Sequence, residues 1–387
     1  MNLCNQQQNR RDALFKELDI LREKDFTFAS GHILGSMCTQ PHPIAKEAYI
    51  QFLETNLGDP ELFPGTKEIE SRLIRFIAEL VHAPRTAAGQ IVSGGTEGNI
   101  TAMWLAKQVT GKNELIIPES AHFSFTKIAS LMNLKVITIP LTNAFCMDST
   151  KIHGKITKNT AAVVGVAGST ELGTIDPLPE LSDLCSDEHI FLHVDAAFGG
   201  FVIPFLKQLG YDVPDFDFVL PGVSSLSIDA HKMGYSAIPL GALIAREKTW
   251  LDAITVESPY ISSPKQTGIL GTRSGGAVAA AYAVTQYMGD EGYKKLVERC
   301  MATTEYTVKR ITELGLPLII KPTMNVVGVQ LQKLEEIVQR LAEKKWRVNK
   351  INRLSCIRIV VMPHVTEEVI DQFIPVFTKT CEEVGEL

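Results

Sequence analysis

Lys232 follows a histidine in Asp229-Ala230-His231-Lys232-Met233, one strand-turn-strand interval after Val194-Asp195-Ala196-Ala197. An amine and an isolated carboxylate in that order, within an alternating β/α pattern, suit one chemistry in particular. The amine condenses with the aldehyde of pyridoxal 5′-phosphate as a Schiff base. The carboxylate keeps the pyridine nitrogen protonated, so the ring accepts electrons. Taken alone, Lys232 reads as a surface lysine; its apolar, glycine-containing setting (Met233-Gly234-Tyr235) points instead to a lowered pKa. Asp195 ends the apolar run Ile190-Phe191-Leu192-His193-Val194, where a bare carboxylate is costly to bury. The small residues Ala196, Ala197, Gly199 and Gly200 leave room for a flat ring above the strand tip. The alternative for Asp195 is a structural helix cap. A metal pair of His193 and Asp195 fails for want of further ligands at suitable spacing.

Four other stretches bear on the same chemistry. Ser93-Gly94-Gly95-Thr96-Glu97-Gly98-Asn99 lies between a strand and a helix that begins near Thr96. Glycines let the backbone approach an anion, and free amides at a helix start favour phosphate. The pattern is neither a P-loop nor G-x-G-x-x-G, and glycine-rich turns are often merely tight. His122 follows a strand at the crevice where open α/β sheets bind ligands. It suits stacking on a ring and proton transfer, although a lone histidine reads better as a half-buried residue of a helix-cap region. Thr170, in a polar turn after an apolar strand, is divided evenly between a cofactor or substrate donor and ordinary turn chemistry. Arg273 offers a bidentate grip for a carboxylate or phosphate, its alternative being a helix-start arginine in a domain interface.

The elements that must position these residues are legible in outline. Helical spacing marks 9–24 and 67–82, the latter with Thr66 as a possible N-cap. Residues 30–43 are irregular. Short β-rich runs occur at 90–93, 114–118, 135–140, 161–167, 190–195, 216–220, 224–229 and 240–245. Near-continuous apolar runs of that length predict strands buried on both faces, hence an α/β fold with a mostly parallel sheet. The last runs lie too close together for crossover helices and predict an antiparallel edge. Residues 247–272 read as a loop, 275–310 as an alanine-rich helix, and 317–387 as a small α+β domain. Its expected strands are 318–321, 326–331 and 357–361, and its helices 334–345 and 367–380.

Composition narrows the class. With 387 residues the chain can bury a large domain and a smaller one. Its 38 basic and 44 acidic side chains give a net charge of −6, and no basic arm stands out, so nucleic acid is not an expected partner. Seven scattered cysteines without a C-x-x-C pair suit reduced thiols in a cytoplasm. The polar, charged start of the chain is neither signal peptide nor membrane span, so no membrane partner is expected.

Ser93–Asn99, His122, His193-Val194-Asp195-Ala196-Ala197 and Asp229-Ala230-His231-Lys232 together resemble the group II pyridoxal phosphate-dependent amino acid decarboxylases. Leu34–Thr39, Pro41-His42-Pro43 and Glu257-Ser258-Pro259-Tyr260 are most similar to the archaeal L-tyrosine/L-aspartate decarboxylases. The resemblance runs from about Ser30 to His364. It implies a fold type I pyridoxal phosphate enzyme working as a homodimer, with its sites at the subunit interface. The implied division is 1–60 packing on the partner, 61–285 binding the cofactor, and 286–387 forming the small domain.

Carried over by position, Lys232 is the Schiff-base lysine, Asp195 pairs with the pyridine nitrogen, and His122 and Ala197 flank the ring. Gly95 and Thr96 hold the phosphate with Ser225 and His231, and Thr170 lies near the cofactor. Larger relatives carry asparagine where this chain has Asp229, which leaves that contact open. Tyr260 is the expected proton donor to Cα. The substrate is an L-amino acid, with tyrosine favoured slightly over aspartate. Met37 and Phe63 suit an aromatic side chain, and His32 or Arg273 a second carboxylate. Archaeal relatives make tyramine for methanofuran or β-alanine for coenzyme A. Rival readings are another pyridoxal phosphate lyase or a non-catalytic protein of this fold. A desulfurase reading lacks its cysteine between Cys185 and Cys300, and a sphingosine-phosphate-type lyase would carry a membrane anchor at its start.

Overall fold

The apolar runs of the middle of the chain become a single seven-stranded sheet in the computed structural model, which describes residues 3–259 and 265–387, with side chains from residue 6. The chain opens with α1 (Leu3–Arg22), α2 (Pro43–Gln51) and α3 (Pro64–Leu80). The large domain continues through β1 (Ala88–Val92), α4 (Gly95–Thr110), β2 (Glu114–Pro118), α5 (Ser124–Met132), β3 (Lys135–Ile139) and β4 (Thr160–Val166). It is completed by α6 (Leu178–Asp187), β5 (Phe191–Asp195), α7 (Ile203–Gln208), β6 (Val223–Ile228) and β7 (Gly241–Ala245). The sheet order is β1-β7-β6-β5-β4-β2-β3.

All of these strands run parallel except β7, which is antiparallel to both β6 and β1. The antiparallel strand is therefore penultimate, and β1 returns to form the edge. Both faces are buried. Val163, Leu192, Val194, Leu226 and Ile244 pack on one side, and Val92, Leu115, Val164 and Leu243 on the other beneath α4 and α5. Burial on both faces is the reason these strands read as continuous apolar runs.

Several local expectations are corrected. Residues 216–220 form a turn rather than a strand: Asp217 Oδ1 accepts from the Val219 amide at 3.1 Å, and aspartate turn chemistry overrides the apolar pattern. Helix α3 begins at Pro64, two residues before the expected Thr66 cap, because proline suits the first helical position and Thr66 is buried. Residues 247–272 contain a short α8 (Lys248–Asp252) and a β8–β9 hairpin (Thr255–Glu257, Lys265–Thr267).

The long helix α9 (Gly275–Glu313), kinked at Gly289, connects the two domains. The small domain comprises β10 (Val326–Gln330), α10 (Leu334–Glu343), β11 (Asn349–Ile351), β12 (Cys356–Val360) and α11 (Glu367–Val384), with strand order β10-β12-β11. The expected strand at 318–321 is reduced to one bridge, between Leu318 and Val329. Leu34 plugs the core of this domain, its amide donating to Arg347 O at 2.8 Å and its carbonyl accepting from Val360 N at 2.7 Å. That part of the first 60 residues thus packs on its own chain. Helix α1 is different, since Leu14, Phe15, Leu18, Ile20 and Leu21 are all exposed. No helix among the described residues is long and apolar enough to cross a membrane.

Candidate active site

The parallel strands end on one side of the sheet, and the turns leaving β1, β2, β4, β5 and β6 converge there on a cavity of about 330 Å³. That is the size of a small-molecule site. Gly95 and Thr96 enter from the β1–α4 turn, His122 from the turn after β2, and Thr170 from the turn after β4. Asp195 and Ala197 come from the end of β5, and His231 and Lys232 from the turn after β6. Eight residues separated by up to 137 positions in the sequence, from Gly95 to Lys232, are thereby brought to one wall.

Asp195 is 6% exposed, and both its oxygens are fixed. Oδ2 accepts from Asn99 Nδ2 at 2.8 Å, and Oδ1 accepts from the Ala197 amide at 3.1 Å. Behind it, His193 Nε2 lies 3.0 Å from Asn99 Oδ1, and His193 Nδ1 lies 2.8 Å from Ser225 Oγ. Burial pushes the His193 imidazole down to about 4, so at neutral pH it is uncharged. The carboxylate is therefore oriented by neutral donors.

Lys232 Nζ lies 3.1 Å from Asp229 Oδ2. Burial pulls the ammonium down, but Asp229 and Asp195 together pull it up by more, so its pKa is raised. This corrects the lowered value expected from the apolar neighbours: two carboxylates outweigh the lost hydration. Burial also lowers the His122 pKa, with Asp195 opposing it, and the ring is neutral near pH 7. The ring tilts against Phe123 at 4.1 Å between centroids.

The turn after β1 is built for close approach. Gly94 has φ 144°, a backbone region that disfavours side chains, and a Cβ on Gly95 would come within 2.9 Å of Ala197 Cβ. Glu97 Oε2 accepts from the Ser93 amide at 2.6 Å and clamps the turn to the first turn of α4. His231 Nδ1 is 2.7 Å from the Leu240 carbonyl, which leaves Nε2 facing the cavity side. A helix N-terminus, a glycine cradle, a buried carboxylate and an amine in one small cavity fit the phosphate, ring nitrogen and aldehyde of pyridoxal 5′-phosphate.

Two nominated residues, Ser225 and Arg273, are not brought to this cavity. Ser225 is fully buried on β6 with its hydroxyl bonded to His193, so it supports the Asp195 chain rather than a phosphate. Arg273 is held in an ion pair with Glu70 and donates to the Ile91 and Leu57 carbonyls. The 2%-exposed carboxylate takes Arg273 on one oxygen and Lys67 Nζ on the other at 2.6 Å, so the guanidinium is spent on Glu70 rather than on substrate. Tyr260 lies outside the described residues. His32, offered for a second carboxylate, stacks on Trp346 at 4.2 Å.

Sequence reasoning missed Asn99, which holds Asp195, and Arg358, which ties β12 to the Thr170 turn. Asn99 sits four residues after Gly95 on the inward face of α4, and a buried amide there was the available signal. Arg358, 7% exposed on β12, donates to the carbonyls of Thr170 and Gly35, and its Nε has no partner among the described residues.

Comparison with known proteins agrees with this geometry. Residues 43–331 match the family model described as the pyridoxal-dependent decarboxylase conserved domain. A probable L-tyrosine/L-aspartate decarboxylase of Methanothermobacter thermautotrophicus is 47% identical over 349 residues, covering 89% of this chain and 96% of that protein. An L-aspartate/L-glutamate decarboxylase of Pyrococcus horikoshii is 44% identical over 367 residues, covering 93% and 95%. Among solved structures, a Burkholderia pseudomallei sphingosine-1-phosphate lyase superposes with a TM-score of 0.88 at 26% identity, covering 96% of this chain and 90% of that one. A Lactobacillus brevis glutamate decarboxylase gives the same TM-score at 23% identity, covering 96% and 92%, and speaks for the fold alone. The matched domain, the relatives and the cavity converge: the chain belongs to the pyridoxal-dependent decarboxylase family and is an amino acid decarboxylase that uses pyridoxal 5′-phosphate.

Proposed function

We propose that the enzyme decarboxylates L-tyrosine to tyramine and L-aspartate to β-alanine, with tyrosine the better substrate. Both names belong to the Methanothermobacter relative, and aspartate also to the Pyrococcus one. The observation that favours tyrosine is that His32 and Arg273, the cations offered for a second carboxylate, are committed to Trp346 and Glu70. The cavity lining instead includes Phe123, 61% exposed, and the buried Phe198. The products would feed methanofuran or coenzyme A synthesis.

When bound, the cofactor ring supplies a sink for the electron pair left at Cα as carbon dioxide departs. The chain supplies everything else. Lys232 would offer its amine to the aldehyde, and Asp195, fixed by Asn99 and the Ala197 amide, would hold the proton on the pyridine nitrogen. Neutral His122 would cover one ring face and Ala197 the other. Gly95, Thr96 and His231 would hold the phosphate. Arg358, bonded to the Thr170 and Gly35 carbonyls, would hold the Thr170 turn in place from the small domain. Tyr260 delivers the proton to Cα, an assignment that rests on the resemblance alone.

We further assign the working form as a cytoplasmic homodimer in which α1 covers the partner, since its apolar side chains Leu14, Phe15, Leu18 and Leu21 have no cover in one chain. Measurement of kcat/KM for amine formation from L-tyrosine, L-aspartate, L-glutamate and L-phenylalanine tests the substrate assignment. Tyrosine first and aspartate second is expected. Glutamate ahead of both would overturn it.

A further inference from the structure

Thr170 reaches the cavity from a turn that belongs to the large domain in sequence but is gripped by the small domain in space. The turn follows β4 and closes on itself: Ser169 Oγ lies 2.8 Å from Thr174 Oγ1, and the Ser169 amide donates to the Thr174 carbonyl at 2.8 Å. Its outer side lies directly on β10. A Cβ on Gly328 would come within 2.6 Å of Leu172, and one on Gly173 within 3.1 Å of Val326. Leu172 is buried in that contact. Packing this close transmits displacement, so a shift of β10 carries the turn with it.

Two arginines of the small domain add polar bonds to the same turn. Arg358, on β12, donates to the Thr170 carbonyl. Arg353, between β11 and β12, meets Glu171 with both arms of its fork: Nε donates to Oε1 at 2.8 Å, and Nη2 donates to Oε2. A bidentate pair fixes orientation as well as distance. Glu171 also acts on the second arginine. The Arg358 guanidinium is buried with the Thr170 and Gly35 carbonyls as partners, and the Glu171 charge is the main influence opposing its loss of hydration. One carboxylate thus steadies two guanidiniums, and its neighbour in sequence is the threonine that lines the cavity. Neither Glu171 nor Arg353 lines the cavity itself.

We propose that Glu171 and Arg353 are positioning residues for the decarboxylation: paired across the domain boundary, they hold Thr170 at its place in the cavity, so that the seating of the small domain sets the rate of turnover. No bond to substrate or cofactor is made by either side chain. Cofactor capture is left to Gly95, Thr96, Asp195, His231 and Lys232, which all stand on the large domain. Because both members of the pair are partly exposed, salt screens it. The inference rests on reading Thr170 as a participant in the reaction.

The test measures kcat, KM and the cofactor dissociation constant of the pyridoxal phosphate-loaded full chain with its best amino acid substrate. The variants are Glu171→Gln, Arg353→Gln, Thr170→Val, and Thr170→Val combined with Glu171→Gln. Each neutralisation should lower kcat by about tenfold, the size of one charge-assisted hydrogen bond, with cofactor affinity changed by no more than about twofold. Adding Glu171→Gln to Thr170→Val should lower kcat no further, a result that a role in stability alone would not give. Raising salt to about 1 M should lower wild-type kcat toward that of Arg353→Gln and leave the variant unchanged. Wild-type kcat in both neutralised variants overturns the proposal, as does a further loss in the combined variant. Wild-type kcat in Thr170→Val overturns the reading of Thr170 on which the pair depends, whatever the pair variants do. Arg353→Gln leaves Glu171 in place beside Arg358 and carries the comparison if Glu171→Gln does not fold.

Discussion

Asn99 donates to Asp195 at 2.8 Å while its own amide oxygen lies 3.0 Å from His193 Nε2. Because burial keeps His193 neutral, the chain of donors has one direction: Ser225 Oγ to His193 Nδ1, His193 Nε2 to Asn99, and Asn99 to the carboxylate. The carboxylate that would face the cofactor is thus oriented from α4 and β6. Such networks hold geometry more firmly than any single bond in them.

Removing the middle member tests this. A hydrogen bond to a charged group contributes about 1.5–3 kcal/mol, so Asn99→Ala should lower kcat by roughly 10- to 150-fold. The cofactor absorption band should shift as Asp195 loses its partner. Unchanged kcat in a folded variant would contradict the relay.

His122 is assigned to the ring face and to proton movement rather than to cofactor affinity. His122→Phe preserves a flat ring there. Its cofactor dissociation constant should stay within a few-fold of wild type while kcat falls by about 100-fold or more, the range for general acid–base groups. Equal losses in affinity and rate would reduce His122 to a packing residue.

Arg273 and Glu70 form a structural pair in this account. Glu70 is 2% exposed, and removing one partner of a buried pair costs up to about 3–5 kcal/mol, here reduced because Lys67 still pairs with Glu70 at 2.6 Å. Arg273→Met should therefore lower the thermal midpoint clearly, with KM for amino acids unchanged in the folded enzyme. A raised KM without loss of stability would return Arg273 to the substrate site.

The pH dependence of stability has a definite sign. His193 titrates near 6.5 when unfolded and about 4 when folded, so its contribution is complete above 6.5 and is lost as pH falls toward 4. Asp176, raised by burial to about 6, works the opposite way in the same window, because the folded state retains its proton. The two largely offset in wild type, so the comparison must be with His193→Gln. The stability difference between the two proteins should shrink by up to about 3 kcal/mol between pH 6.5 and 4, as read from urea midpoints.

The α/β pattern was legible because a parallel sheet buried on both faces writes its strands as apolar runs; β2 spans the predicted 114–118 and β5 falls within the predicted 190–195. Lys232, Asp195 and the glycine turn were legible for a related reason: each follows such a run, at the strand end where ligands bind. Arg273 and Ser225 misled because spacing says nothing about which buried group claims a side chain first. Glu70 and His193 had prior claims. Arg358 was invisible because its neighbours, Thr170 and Gly35, are brought to it only when the small domain docks. The strand lost at 216–220 went to Asp217, whose side chain competes locally for the backbone amides.

The central claim is that Lys232 and Asp195 together make this cavity a decarboxylation site. Its most direct test is the release of carbon dioxide and amine from L-tyrosine and L-aspartate by the cofactor-loaded enzyme, with Lys232→Ala alongside. The account predicts one carbon dioxide per amine for the wild type and a loss of about a thousandfold or more in the variant, a size consistent with removing a covalent catalyst. A wild-type protein that carries the cofactor band yet releases carbon dioxide from no amino acid would contradict it.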